Sequence, residues 1–512
     1  MRYNLCCAFV FFNRIFIQGH ILIFNRFSLV AVIIIGSLLL STKTYASAYV
    51  GTQDKQLHYD LQTLVEWGYL DAAVSTFPVP WKGVSAGLSE LSAQGMPFRP
   101  QQAYLRLSHY LYLNKQQQNR RFITLQGASD DVRFRSFDDG VESTNKISIS
   151  SEFYSGRWSG QVAVSYTNSG PSSSYYDNSF IAYQFGDWNL RVGSIDQWWG
   201  PTQSSSLIMS NNTRPVKAVA FSRSVNTQSK SRWLSWMGPW YFTTQMGQFE
   251  KDRAVPNVDV LMNRFNARPL KGLEIGLSWV AMWGGKGSGE GFKEFIELVT
   301  FQNVCPNDIG DCDPSQNSKR GNHISGFDIS YTAQLFDRPV TFYAQRVGED
   351  SVDDYKITDN ANLVGISTYW RGAKIFLETS DTNVACSPNE DSFDCYYEHG
   401  QYTNGYRTYG RTLGSTFDSD AKQITLGTNI RFSNGDIMEL YLRSAELNPD
   451  GLRPSPVLTR GDSEDVLEIS GFYQKPLGNW LLKAGGSVAD RRFNILDDRV
   501  DAVIYAKAQY AF

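Results

Sequence analysis

The chain has 512 residues, with 48 Lys and Arg against 51 Asp and Glu and a formal net charge of −3, which disfavours a general nucleic-acid role. Only 19% of residues are charged whereas 14% are aromatic, including 27 Tyr and 13 Trp, and there are 42 Gly. Soluble domains seldom combine these features, whereas outer-membrane barrels do, with aromatic girdles, polar lumens and Gly where strands bend.

Residues 1–48 read as a secretory leader. Arg26, the apolar run 27–40 and the small-residue stretch Ala46-Ser47-Ala48 predict cleavage after Ala48. Residues 1–25 are long and apolar for an n-region, so a downstream start or a retained anchor are the alternatives. Beyond the leader no uninterrupted apolar run reaches the ~20 residues of a membrane helix, which excludes a helical membrane protein. The leader holds Arg2, Arg14, Arg26 and Lys43 and no acid, so the remainder is more acidic than the whole. It also holds Cys6 and Cys7, leaving Cys305, Cys312, Cys386 and Cys395. Two close pairs in an exported chain read as two local disulfides, Cys305–Cys312 and Cys386–Cys395, each stapling one loop, although three connectivities are open.

Residues 49–119 carry apolar side chains at helical spacing: Leu57, Leu61, Leu64 and Val65, then Tyr104, Leu107 and Leu111. Pro78 and Pro80 end the first pattern, 84–91 makes a short second helix, and Pro100 sits at a helix start. A small N-terminal helical domain follows, either a periplasmic spacer or a plug or partner-binding module under a barrel.

From Arg120 the period changes to two. In 273–283, Leu273, Ile275, Leu277, Trp279, Ala281 and Trp283 form an apolar row, while Glu274, Gly276, Ser278, Val280 and Met282 form a smaller, more polar one. Such a strand faces two different solvents. Trp240, Phe242 and Met246 alternate likewise with Tyr241, Thr243, Gln245 and Gly247, and Arg268-Pro269-Leu270-Lys271-Gly272 is a tight connection. Residues 146–154 and 158–166 predict a hairpin, as do 179–185 and 188–195 around Gly186-Asp187. Further strands are predicted over 323–336, 340–347, 363–369, 373–379, 423–432, 436–444, 466–473 and 480–489. Asn434-Gly435 and Gly478-Asn479 are turns, whereas 351–360, 381–416 and 448–462 are long and polar. Short turns on one side and long loops on the other fit a bacterial outer-membrane barrel.

The last strand, 503–512, carries Ile504, Ala506, Ala508 and Tyr510 at alternate positions and ends on Phe512. It resembles the C-terminal signal read by the barrel insertion machinery. From Arg120 to Phe512, ~10 residues per strand with a similar allowance for connections gives about 18 antiparallel strands. The predicted class is thus an all-β transmembrane barrel spanning 120–512, with a small N-terminal helical domain at 49–119.

Several stretches are more particular than barrel physics requires. Asp196-Gln197-Trp198-Trp199-Gly200-Pro201, Ser206-Leu207-Ile208-Met209-Ser210-Asn211-Asn212, Arg214-Pro215, Gly238-Pro239-Trp240, Gly247-Gln248-Phe249-Glu250-Lys251-Asp252-Arg253 and Lys271 to Gly285 form an ordered set. That set resembles the Wzi family of capsule-assembly outer-membrane proteins, closely over 193–291. The resemblance implies an 18-stranded barrel with a periplasmic helical bundle, acting as a surface lectin that keeps capsular polysaccharide on the cell and not as an export pore. The loops bearing the cysteines and the aromatic loop near Tyr396 have no match in the family pattern.

A lectin needs flat apolar faces for sugar rings, fixed polar groups for hydroxyls, and cations where the glycan is acidic. The loop from Cys395 to Arg411 offers all three through Tyr396, Tyr397, Tyr402, Tyr406, Arg407, Tyr409 and Arg411. The alternative is a self-packed lid. Trp198 and Trp199 are a second candidate platform, set against a girdle or a packed lumen. Glu250, Lys251, Asp252 and Arg253 suggest an ion-pair network in the lumen, and Arg214, Arg223 and Arg232 are lumen charges or attractors of an anionic polymer.

Enzymatic chemistry is hard to assemble. The barrel holds only His323 and His399, beside predicted loops, and no Ser–His dyad stands out. Asp130/Asp131, Asp138/Asp139 and Asp353/Asp354 read as solvated loop acids, since neighbours on a strand point to opposite faces. Asp308, Asp311 and Asp313 lack full calcium-loop spacing. No catalytic residue, metal or cofactor is expected. The expected partners are capsular or exopolysaccharide, outer-membrane lipid and the insertion machinery, with the chain a monomer whose outer loops face the cell surface. The rival reading is a diffusion or oligosaccharide channel.

Overall fold

The structure, a computed structural model, describes residues 48–512 except 117–118, 140–143, 169–172, 288, 290, 301–320, 350, 353–355, 358–359, 385–394, 400–401 and 453–461. Eighteen strands of six or more residues close one antiparallel barrel. In chain order they are β1 Arg121–Ala128, β2 Asn145–Ser155, β3 Trp158–Thr167, β4 Phe180–Phe185, β5 Trp188–Gly193 and β6 Lys217–Arg223. Then come β7 Trp240–Gln248, β8 Asp259–Leu270, β9 Leu273–Trp283, β10 Gly321–Leu335, β11 Arg338–Gly348 and β12 Asn360–Trp370. The circuit ends with β13 Ala373–Asp381, β14 Ala421–Arg431, β15 Ile437–Leu447, β16 Glu464–Leu477, β17 Trp480–Phe493 and β18 Arg499–Ala511. Closure is made by β18 on β1, from Tyr505 opposite Ala128 to Ala511 opposite Phe122. Closing the sheet leaves no row of unpaired backbone groups facing lipid, the condition for spanning a bilayer with strands.

Each strand alternates as its sequence does. In β15, Leu440 and Leu442 face out and are exposed, while Glu439, Tyr441 and Arg443 face in and are buried. In β9, Leu273, Ile275 and Leu277 face out, while Glu274, Gly276 and Ser278 face in. Val280 and Met282 belong to the inward row, yet they are apolar because that part of the lumen is packed with other side chains. The outward Ala281 and Trp283 are buried because the helix Phe292–Val299 lies over them through Leu298 and Phe295.

Tight turns lie at one end, among them Gly156, Gly186, Gly272, Gly372 and Gly478, each with positive φ. β8 runs on to Leu270 before its turn, with an irregular register between Ala267 and Leu270. The other end carries the long connections, including 194–216 and 382–420. Outward aromatics gather toward the turn end, where Trp158, Tyr183, Phe185, Phe221, Trp188, Trp240 and Phe265 form a chain of ring contacts at 4.7–6.4 Å. Trp480, Tyr510 and Phe512 continue it across β17 and β18. This is the girdle expected where a barrel meets lipid headgroups.

Among the described residues three helices precede the barrel: α1 Gln56–Glu66, α2 Trp81–Glu90 and α3 Phe98–Lys115. Leu57, Leu61 and Leu64 of α1 pack with Trp81, Val84 and Leu107 in one apolar cluster. The polar side of α1 meets inward-facing wall residues. Asp60 pairs with Arg431 at 3.0 Å, Glu66 with Lys374 at 2.9 Å, and Gln56 donates to Glu439 at 2.6 Å. Helix α1 is thus tied inside the ring of strands, with ten of its eleven residues buried.

Candidate functional site

The lumen is filled from both ends. Thr76–Phe77, just after α1, pairs antiparallel with Trp198–Trp199 from the 194–216 connection. Trp198 stacks edge-on with Phe137 at 5.6 Å, and Phe137 in turn contacts Phe77 and Tyr59. A connection between β1 and β2 therefore also enters the lumen. Asp138 and Asp139 follow it inward. Asp139 meets Arg443 at 2.6 Å, Arg443 also holds Glu468 at 2.6 Å, and Asp138 meets Lys483 at 3.2 Å and Gln56 at 2.7 Å. These two acids are thus structural ion-pair partners and not the solvated loop acids expected, whereas Asp130 and Asp131 are exposed.

The 194–216 segment is then fixed by Glu378 on β13. Its carboxylate accepts the backbone N–H of Gln203 at 2.8 Å, Ser204 at 3.2 Å and Ser205 at 3.0 Å. The hydroxyls of Ser204 and Tyr343 donate to it at 2.5 and 3.2 Å. Beside it, Gln345 accepts from Leu207 N at 2.8 Å and donates to Trp199 O at 3.1 Å. Two inward side chains of the wall thereby satisfy a stretch of irregular backbone that a dry lumen would otherwise leave unpaired.

The tyrosine-rich connection before β14 closes over this layer. Tyr396 and Tyr397 donate to the carbonyl of Leu207 at 2.7 and 2.5 Å, Tyr402 to Gly284 O at 3.1 Å, and Tyr406 to Asn322 O at 2.8 Å. All four rings are at most 1% exposed, in one apolar cluster with Leu207, Met209, Val280 and Met282. Burial pushes the Tyr397 hydroxyl up from its ordinary pKa and keeps it a neutral donor. Gly414 is required here, since a Cβ would come within 2.3 Å of the Tyr397 hydroxyl and 2.4 Å of Leu207 O.

Arg407 lies between Asp418 at 2.6 Å and Glu398 at 2.5 Å. Burial works against its charge, but these two carboxylates outweigh it and hold its pKa above the usual guanidinium value. Arg411 is half-buried and donates to Asn212 Oδ1 at 3.1 Å and Arg133 O at 2.5 Å. Burial, and then Arg135, pushes its pKa well down. Glu250 and Arg253 bind this same connection instead of pairing with each other: Glu250 accepts from Tyr409 N, and Arg253 donates to the carbonyls of Gly405 and Arg407. Lys251 and Asp252 are exposed.

Of the nine residues proposed from sequence as glycan contacts, Trp198, Trp199, Tyr396, Tyr397, Tyr402, Tyr406 and Arg407 are thus enclosed within the filled mouth. They have protein partners for their polar atoms, which is how an aromatic loop packs on itself. Tyr409 is 41% exposed and belongs to a different cluster. The Arg214 guanidinium lies 3.6 Å from the ring centre of Tyr175 and 4.3 Å from that of Tyr409, and Asp177 accepts from it at 2.6 and 2.8 Å. Tyr176 beside it is 58% exposed. Arg214 is thus a loop residue, while Arg223 faces outward from β6 and Arg232 is exposed in the 224–239 connection; none of the three is a lumen charge.

Sequence reasoning missed Glu378, Gln345, Tyr175 and Asp177. Glu378 carried a signal, a lone acid at the centre of the inward row Lys374, Phe376, Glu378, Ser380; the partners of Tyr175 and Asp177 come from distant loops and carried none. Of the cysteines, Cys395 is disulfide-bonded, and Cys305, Cys312 and Cys386 lie outside the described residues, as do Asp308, Asp311, Asp313, Asp353 and Asp354. His323 is buried in β10 and accepts from Trp279 Nε1 at 3.0 Å; His399 is buried beside Tyr402. A polar cavity of about 150 Å³ remains between the β1–β3 wall and the Phe137 segment, lined by Ser148, Gln161, Ser165, Lys146, Lys507 and Asp138.

A closed barrel with apolar outward rows, an aromatic girdle and a filled lumen defines a multi-pass outer-membrane β-barrel protein. The family model for the capsule assembly protein Wzi matches residues 114–503, and the chain belongs to that family. The structure superposes with a TM-score of 0.75 on Escherichia coli Wzi, an outer-membrane protein involved in group 1 capsule assembly and described as a carbohydrate-binding β-barrel. The two are 21% identical, over 92% of this chain and 100% of that one. An uncharacterised 55.8 kDa protein of the Klebsiella pneumoniae cps region is 27% identical over 364 residues, 68% of each chain.

Proposed function

We propose that this protein is a non-enzymatic lectin of the outer membrane that attaches capsular or exopolysaccharide to the cell surface. The observation that carries the reading is the mouth itself. Its aromatic loop is tied down onto the filled lumen through Leu207, so the described part of the long-loop end presents a fixed face. Family membership and the carbohydrate-binding description of the E. coli relative support the same reading.

On that face the exposed Tyr176 and Tyr409, with Arg214 held by Asp177, combine stacking surface with a cation of fixed position. We assign first glycan contact to this cluster. Tyr396, Tyr397, Tyr402, Tyr406, Arg407, Trp198 and Trp199 act through the shape of the lid, and Arg411 anchors its edge. The test is polysaccharide binding by the Arg214→Ala/Tyr409→Ala variant. Loss of about tenfold in affinity is expected, consistent with one cation and one ring removed from an interface; unchanged binding removes the cluster.

The channel alternative has one favourable observation, the 150 Å³ cavity. A space of that size accepts a benzene-sized molecule and not a polymer strand. Planar-bilayer recordings of the wild type are expected to lack steady open steps; regular steps would favour the channel.

A further inference from the structure

The connection from β6 to β7, residues 224–239, is far longer than the other turn-end connections. Its first residues pack on the N-terminal segment, where Asn226 accepts from Ala73 N at 2.9 Å and donates to Ala73 O at 2.8 Å. Arg223 pairs with Trp188 in register and so faces outward, as does Trp240 at the start of β7. Yet these two are only 4% and 9% exposed, whereas the girdle members Trp158, Trp370 and Trp480 are 43%, 54% and 42% exposed. They bury each other, with Trp188 and Phe265 beside the Trp240 ring and the start of the connection against Arg223. Arg223 stacks at 3.9 Å on the Trp240 ring and donates to Thr227 O at 2.9 Å, and Gln228 bridges to Pro239. The short helical turn Ser235–Met237 then leads to Gly238, which lies against the carbonyl of Arg268.

Farther along, the connection exposes two tryptophans of its own. Trp233 is 87% exposed and Trp236 71%, with Leu234 at 37% between them and Lys230 and Arg232 exposed alongside. Exposed indole rings at the turn-end rim of a barrel, in the segment that leads into the girdle residue Trp240 and flanked by bases, match a headgroup layer in both polarity and charge.

We propose that residues 229–238 form an interfacial foot that lies in the lipid headgroup layer at the turn end. Trp233 and Trp236 enter the acyl boundary, and Lys230 and Arg232 pair with lipid phosphates. The foot gives one quadrant of the barrel a second contact with the leaflet, outside the strand wall. It depends on the barrel spanning the membrane and is independent of the glycan reading.

The test uses the whole protein refolded into phosphatidylcholine vesicles, with and without phosphatidylglycerol, and carrying an environment-sensitive label on Trp236→Cys. Labelled wild type reports background from native cysteines, and heat-dependent gel mobility verifies the closed barrel. Lipids brominated near the head of the acyl chain should quench the label about twofold or more, and lipids brominated deep in the chain less. Adding Lys230→Gln and Arg232→Gln should weaken quenching in the phosphatidylglycerol vesicles and not in phosphatidylcholine alone. Emission at the water-exposed wavelength, unchanged by bromine, overturns the proposal. So does energy transfer between differently labelled copies at low protein-to-lipid ratio, which would assign the patch to a second copy.

Discussion

Glu378→Ala removes the carboxylate around which the mouth is organised. Three buried N–H groups, of Gln203, Ser204 and Ser205, lose a charged acceptor together. Hydrogen bonds to charged groups are worth roughly 1.5–3 kcal/mol each, and an unsatisfied buried donor costs about as much again as a neutral bond. Water entering the vacated space recovers part of this, so the segment should lose about 4 kcal/mol of local stability, ~1,000-fold in its opening equilibrium. The barrel itself should persist, because the backbone pairings of Glu378 with Gly365 and Thr425 do not use the side chain. Hydrogen exchange resolved by mass spectrometry reads the effect directly. Peptides covering 200–207 and 396–413 should exchange far faster in the variant, with β13 and β14 unchanged. Glu378→Gln keeps one acceptor oxygen and should fall between. If Glu378→Ala folds and the 200–207 peptide exchanges at the wild-type rate, the carboxylate does not hold the mouth and the reasoning fails.

Other perturbations test neighbouring parts of the account. Asp418→Asn leaves Arg407 buried beside Glu398 alone; breaking such a pair costs about 3–5 kcal/mol, and limited proteolysis should then cut within the tyrosine-rich connection. Arg443→Met leaves Asp139 and Glu468 buried without their shared cation, so the denaturant midpoint of the refolded barrel should fall, most at neutral pH. His58 on α1 is enclosed by Phe77, Phe137 and Gln62, and burial, helped by Lys374, lowers its pKa from 6.5 to about 3. The unfolded chain therefore binds a proton that the folded one refuses, and stability is lost as pH falls from 6.5 toward 3, by on the order of a few kcal/mol. His58→Gln should flatten that part of the pH dependence of thermal unfolding; an unchanged profile would refute the assignment.

The barrel was legible because its signal is local. Alternation in Leu273–Trp283 is imposed by lipid on one side and lumen on the other, and Gly at the turns marks where strands reverse. The contents of the lumen were not legible in the same way. A tyrosine that donates to a buried carbonyl and one that stacks on a sugar look alike in sequence, since both need a flat ring with a polar tip. Val280 and Met282 were the clue: apolar residues in an otherwise polar inward row indicate that something packs there. Likewise Asp138 and Asp139 carry no mark of Arg443 and Lys483, which come from the far end of the chain. Trp240 stood in the apolar row of an alternating stretch, and its burial beside Arg223 carried no mark in the sequence.

The most direct test of the central claim is the division of polysaccharide between cells and culture fluid, measured in the native host with and without this protein. The account predicts that deletion leaves total polysaccharide unchanged and moves it from the cell-bound to the free fraction, and that wild type restores attachment while Arg214→Ala/Tyr409→Ala does so poorly. An unaltered division after clean deletion would contradict the lectin reading, and a fall in both fractions would point instead to assembly or export.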